Sequence, residues 1–291
     1  MVSGQYAGGK NDMQKVLITG ADGMLGKDLC AILEKHGYFT IKTDKNNMDI
    51  LDPKLIERVV LNEKPDFVIH CAAYTNVDKA EDEPDKAMSI NAKGTENVAI
   101  CCGKNDIPII YISTDYVFDG NKQTPYEPTD KPNPLNVYGK TKLAGEAAIQ
   151  KFCKKFYIVR TSWLYGIHGK NFVETMKKLS SKNELKVVND QKGCPTWTKD
   201  LCAGLITFLK GKPCGIYHIC GSGETTWYEF AKEIFKQCGL SVNVTPCNSD
   251  EYKTKAIRPK YSVMNNNGFC RDWKEALSEY LKSTKDAEVL L

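Results

Sequence analysis

Tyr138 and Lys142 stand four residues apart in the run Asn136-Val-Tyr-Gly-Lys-Thr-Lys142. A phenol has an unperturbed pKa of about 10, so donating a proton at neutral pH requires a nearby cation to stabilise the phenolate. On a helix, a spacing of four places Lys142 on the same face as Tyr138 and supplies that cation. Gly139, between them, leaves room for a substrate or cofactor to approach. Upstream, Ser113-Thr114 closes the apolar run that begins at Ile109. A hydroxyl at the carboxyl end of a strand in an open α/β sheet lies on the side where ligands sit, and there it can bond an oxygen that gains negative charge. The third part is Gly20-Ala-Asp-Gly23-Met-Leu-Gly26, a glycine turn between a strand and a helix. Such a turn brings backbone N–H groups and a helix amino terminus against a pyrophosphate. The chemistry implied is protonation of a carbonyl oxygen as hydride arrives from a dinucleotide.

Each part alone is weak. A Tyr-Lys pair at this spacing is common on solvated helices, a strand-end hydroxyl often only caps a turn, and the loop reads GxxGxxG, not GxGxxG. Their order in one chain carries the reading. Asp44 falls where an acid contacts the adenosine ribose, but Lys42 and Lys45 flank it and suit a 2′-phosphate. Both NADPH and NADH are therefore expected cofactors.

The elements that must position these groups alternate along the chain. Lys15–Thr19, Phe39–Thr43, Phe67–Cys71, Ile109–Ser113 and Phe156–Arg160 read as buried strands. Leu25–His36, Pro53–Asn62, Ala87–Cys102 and Lys140–Phe152 read as helices between them. Continuous apolar strands separated by helices imply a doubly wound parallel sheet of Rossmann type, an α/β fold. After Ser162-Trp163 the pattern loosens: Leu185–Val188 and Ile216–Ile219 read as strands, Thr225–Gln237 and Trp273–Leu281 as helices. The organisation expected is a flexible leader or expression remnant over 1–12, a dinucleotide-binding domain over 13–162, and over 163–291 a smaller substrate-binding lobe that returns some elements to the main sheet.

At 291 residues the chain can bury a large core, and its net charge of +4 is spread without a basic run, which argues against nucleic acid. No apolar stretch is long enough for a bilayer. The twelve cysteines form neither a CxxC pair nor a zinc-ligand spacing, and His36, His70, His168 and His218 show no paired spacing. Reduced thiols, a cytoplasmic location and no metal are expected. Trp197, Trp227 and Trp273 read as packing residues, and Glu81-Asp-Glu-Pro-Asp85 as a solvated turn and helix start.

The chain resembles the extended short-chain dehydrogenase/reductases and, within them, the dTDP-4-dehydrorhamnose reductase family. The motifs that carry the likeness are Cys71-Ala-Ala-Tyr-Thr-Asn-Val-Asp78, Ile112-Ser-Thr-Asp-Tyr-Val-Phe-Asp-Gly120, Arg160-Thr-Ser-Trp-Leu-Tyr-Gly166 and Asn189-Asp-Gln-Lys-Gly-Cys-Pro-Thr196. The resemblance implies Thr114, Tyr138 and Lys142 as the catalytic trio, with Lys142 also on the nicotinamide ribose. It implies Gly20, Gly23, Met24, Leu25 and Gly26 around the pyrophosphate, Asp49 and Ile50 beside adenine, and Ala72, Ala73 and Tyr74 along the cofactor's middle. Asp115 and Trp163 would face a nucleotide sugar, and Arg258 would grip its diphosphate. The implied reaction is reduction of the C4 ketone of dTDP-4-dehydro-L-rhamnose, and a homodimer is compatible with it. Two alternatives share the glycine loop: a nucleotide-sugar epimerase or dehydratase, and a dinucleotide-binding regulatory subunit of the methionine adenosyltransferase type. Against the dehydratase, Thr114 is followed by one acid, not two. Against the regulatory subunit, the trio is complete.

Overall fold

Strand β1 (Lys15–Thr19) buries Val16, Leu17, Ile18 and Thr19 together, so it needs cover on both faces and belongs in the middle of a parallel sheet. In the computed structural model, which describes residues 13–182 and 184–289, that is where it lies. The leader expected over 1–12 falls outside the described residues.

From β1 the chain passes through α1 (Met24–Lys35), β2 (Phe39–Thr43), α2 (Pro53–Glu63), β3 (Phe67–His70), α3 (Val77–Asp82), α4 (Pro84–Met88), α5 (Thr95–Lys104), β4 (Ile109–Thr114), α6 (Val137–Phe152) and β5 (Phe156–Thr161). Local chemistry sets the ends. Asp52 caps α2 by accepting from the N–H groups of Lys54 and Leu55, with Pro53 at the first helical position. Asn136 caps α6 by accepting from Gly139 N–H at 2.8 Å. That cap starts α6 at Val137, one turn earlier than the expected Lys140, and so places Tyr138 inside the helix.

The single helix expected over 87–102 is instead interrupted by a π-helical turn, Ser89–Gly94. The turn holds Asn91, fully buried, which bonds both backbone groups of Tyr74 and the Thr141 hydroxyl of α6. A widened turn of this kind carries one extra residue, and here it delivers an amide to the neighbouring helix.

Beyond β5 come β6 (Leu164–Tyr165), α7 (Phe172–Leu179), β7 (Glu184–Val188), β8 (Lys192–Gly193), β9 (Thr196–Trp197), α8 (Thr198–Leu209), β10 (Gly215–His218), β11 (Thr225–Thr226), α9 (Trp227–Cys238), β12 (Asn243–Cys247) and α10 (Trp273–Val289). The main sheet is parallel throughout, in the order β10-β5-β4-β3-β1-β2. Strand alternation sends Val16, Ile18, Ile110 and Val159 to the face covered by α1 and α8, and Leu17, Val68, Ile109, Tyr111 and Ile158 to the face covered by α2, α5 and α6. A separate core gathers Tyr165, Phe230, Trp197, Trp273 and Tyr280, so Trp197 and Trp273 pack as expected. Among the described residues no helix is long and apolar enough to cross a membrane.

Helix α6 can approach the sheet because Gly145 has no side chain. A Cβ there would stand 2.3 Å from the Tyr111 hydroxyl and 2.7 Å from the Asn91 carbonyl. Gly145→Ala is therefore expected to lower the unfolding free energy by about 1–3 kcal/mol, measured by urea titration.

Candidate active site

The carboxyl ends of the sheet strands open on one cleft of about 710 Å³. Its floor is the glycine loop. Gly20 adopts a left-handed φ of 65°, and a Cβ on it would meet the Ala72 backbone at 2.9 Å; one on Gly26 would meet the Gly20 carbonyl at 2.2 Å. Helix α1 begins at Gly23 without a side-chain cap and without an acid in its first turn. The N–H groups of Met24, Leu25 and Gly26 lack acceptors one helical turn earlier, and the positive end of the helix faces the cleft. Bare backbone donors at a helix start fit the pyrophosphate of a dinucleotide.

Asp44, Lys45, Asp49 and Ile50 line one end of the cleft, and Ala72 and Ala73 its middle. Asp44 also organises its own turn, accepting from Asn46 N–H at 2.7 Å. The two lysines beside it part company: Lys45 reaches the cleft, whereas Lys42 pairs with Glu34 at 2.8 Å.

Thr114, Tyr138 and Lys142 share the opposite wall. Thr114 is buried, accepts from Tyr116 N–H at 3.1 Å and donates to Asp115 at 3.1 Å. Ser113, which also lines the cleft, instead donates its hydroxyl to Glu146 at 2.6 Å. Burial pushes the Tyr138 phenol up to about 12, against a lowering bond from Thr114. Lys142, 2% exposed, is pushed down to about 7 by burial, with Glu146 and Cys71 acting the other way. The ammonium lies 4.1 Å from the centre of the Tyr111 ring. The shift of the Tyr138 phenol comes from burial, Thr114 and Asp115. A correction concerns Gly139: its missing side chain admits the Tyr116 carbonyl, 2.1 Å from where a Cβ would stand, and not a ligand.

Asp115 and Trp163 line the cleft beside this wall. Burial raises the Asp115 carboxyl to about 7, offset by bonds from Ser262, at 2.6 Å, and Thr114. Trp163 has a φ of 46°, a costly backbone conformation for a bulky side chain. Stacking holds it: its ring lies 3.5 Å from that of Trp227 at an interplanar angle of 7°, over Gly193. Trp227 also lines the cleft and is more than the packing residue expected, because α9 starts at the cleft rim. Lys170 joins the lining as well. Nothing in their local sequence marks either residue, since the lobe that carries them meets the sheet only in the tertiary fold.

Two expected residues are not brought to the cleft. Tyr74 turns away to donate to Glu83 at 2.9 Å. Arg258 is held bidentately by Asp78, at 2.7 and 3.1 Å, and also bonds Tyr116, so its guanidinium ties the second lobe to α3 at the margin of the cleft. The acidic run expected to be a solvated turn has a structural part: Glu81 accepts from Val137 N–H at 2.8 Å and so helps start α6. The buried His70 bonds Thr19 and Thr95, and burial lowers it to about 3, making it a neutral brace. No group of three metal-ligating side chains occurs among the described residues.

Known proteins resemble this chain over nearly its whole length. The chain is 43% identical over 282 residues, 94% of its length and 99% of the relative's, to the spore coat polysaccharide biosynthesis protein SpsK of Bacillus subtilis. It is 40% identical to a dTDP-4-dehydrorhamnose reductase of Mycolicibacterium smegmatis, covering 91% of this chain and 84% of that one. Among solved structures, dTDP-4-dehydrorhamnose reductase from Bacillus anthracis in complex with NADP superposes with a TM-score of 0.91 at 41% identity, over 93% of this chain and 99% of that one. The profile of the RmlD substrate binding domain matches residues 13–287. A glycine-floored cleft, a Thr-Tyr-Lys wall and likeness over nearly the whole chain place this protein in the RmlD substrate binding domain family.

Proposed function

We propose that this protein is an NAD(P)H-dependent oxidoreductase that reduces the C4 ketone of dTDP-4-dehydro-L-rhamnose to dTDP-L-rhamnose, a building block of cell-surface polysaccharide. One observation carries the reading: Thr114, Tyr138 and Lys142 line the same cleft as the bare glycine loop. Family membership narrows the substrate to a nucleotide sugar, and the relatives' names supply dTDP and rhamnose.

A reduced nicotinamide, when bound, supplies the hydride. Tyr138, protonated because burial holds its phenol near 12, gives its proton to the oxygen at C4. Lys142 stabilises the phenolate left behind and holds the nicotinamide ribose. Thr114 orients the oxygen, turning its hydroxyl from Asp115, which keeps the bond from Ser262. Residues 13–162 bind the dinucleotide, while the lobe from 163 onward brings Trp163 and Trp227 to the sugar.

Incubation with the ketosugar and reduced cofactor should deplete the cofactor's absorbance, and no turnover would overturn the reading. Tyr138→Phe is expected to lower kcat by about 10²–10⁴-fold with cofactor affinity nearly intact, whereas Lys142→Met should damage both, as read by steady-state kinetics and cofactor titration. Because Lys142 must be charged, kcat/KM for the cofactor, which reports the free protein, should fall as pH rises through about 7. Lys45→Glu should raise KM for NADPH about tenfold or more over NADH, since only the former carries a 2′-phosphate; equal KM changes would remove Lys45 from that role.

A further inference from the structure

Behind the Tyr-Lys wall lies a buried ionic cluster that the proposed reaction does not use. Glu146 follows Lys142 by four residues on α6, so Tyr138, Lys142 and Glu146 form one stripe down the face that meets the sheet. Its carboxylate accepts from the Ser113 hydroxyl of β4 at 2.6 Å and from Arg160 of β5 twice, Nε at 2.9 Å and one terminal nitrogen at 2.7 Å. Glu146 and Arg160 are each 1% exposed. The guanidinium also lies 5.1 Å from the Phe118 ring centre and donates to the Pro128 carbonyl at 3.4 Å. A pair buried so completely often contributes no more to stability than apolar residues of equal volume, so stability is weak ground for it.

We propose that Glu146 is a positioning residue for the reaction: by clamping Ser113 and Arg160 it sets the register of α6 on β4 and β5, and with it the places of Tyr138 and Lys142 in the cleft. The inference rests on the reading of Tyr138 and Lys142 as the proton donor and its cation. Three charge-assisted bonds to two strands define a depth and a rotation for the helix, which non-directional apolar packing defines less sharply. Tyr138 and Lys142 ride on the same rigid helix, two turns and one turn away respectively. Ser113 gains a second consequence: the hydroxyl tethered to Glu146 belongs to the residue before Thr114, so the clamp also sets the end of the strand that presents Thr114.

The clamp is electrostatic as well. Lys142 is faced by Glu146 from its own helix, by His70 and Cys71 from β3 and its end, and by Tyr111 from β4. His70 is neutral and Cys71, raised to about 12 by burial, is a thiol. Glu146 is therefore the anion that favours the ammonium, against the burial that disfavours it.

Glu146→Gln keeps the shape and removes the charge. Because it leaves Arg160 without a charged partner, a second variant, Glu146→Met with Arg160→Met, replaces the pair by apolar side chains of similar length. A third, Ser113→Ala, removes one tether only. With folding confirmed by circular dichroism and thermal melting, kcat is expected to fall about 10- to 100-fold in the first two variants and less in the third, with KM for the nucleotide sugar within about threefold of native. In Glu146→Gln the alkaline fall of kcat/KM for the cofactor should move to lower pH, since loss of the anion releases the Lys142 proton more readily; a merely structural role would leave that profile in place. Native kcat and a native pH profile in whichever of the first two variants folds would overturn the proposal. Tyr138→Phe assayed in parallel separates the two ideas: if it stays active, the proton-donor reading fails, and if it is inactive while the Glu146 variants behave as native, only the positioning role fails.

Discussion

A cation must remain charged in a place that opposes charge, and the site is organised around that conflict. Lys142 is almost fully enclosed, and burial outweighs its anionic neighbour to bring its ammonium down to about 7. The quadrupole of the Tyr111 ring, 4.1 Å away, and the carboxylate of Glu146 act in the opposite direction. Tyr111 is in turn fixed by a stacked, neutral His70 at 5.6 Å, and His70 by two threonines. Strand β3, strand β4 and helix α6 thus meet around one side chain. Their parallel pairing and the glycine at 145 are what let them come so close.

The second lobe is bound to the first by polar contacts at the cleft rim as well as by packing. Ser262 reaches the carboxyl of Asp115, Arg258 reaches Asp78, and the Tyr126–Met264 bridge joins the two chain segments. Each contact joins a residue near the strand ends to one more than a hundred positions later. They bring the stacked Trp163 and Trp227 to the same cleft as Thr114. The strained backbone at Trp163 is held by stacking within the second lobe, against a residue distant in the chain, Trp227.

The parts legible beforehand share a physical character: each is local. The five strands of the first half alternate with helices strongly enough to be read one by one. The glycine loop is read from three residues within one turn. The failures at Arg258, Trp227 and Gly139 are at range. Arg258 was expected at a diphosphate because its segment resembles one that grips anions, yet an aspartate 180 positions earlier claims it. Trp227 looked like packing because nothing beside it in the chain reveals that α9 opens onto the cleft. Gly139 seemed to leave space for a ligand, and a carbonyl from Tyr116 fills that space.

The order of residues by itself determined the doubly wound sheet, the anion cradle at the start of α1 and the presence of a phenol, an ammonium and a hydroxyl in the right succession, since periodicity, turn chemistry and spacing act over a few residues. Tertiary structure alone decided which strand-end hydroxyl is taken by Glu146, which lysine reaches the cleft, and that an acid one turn beyond Lys142 locks helix to sheet. Those outcomes depend on burial and on partners distant in the chain, and both come into being only when β4, β5 and α6 close on one another.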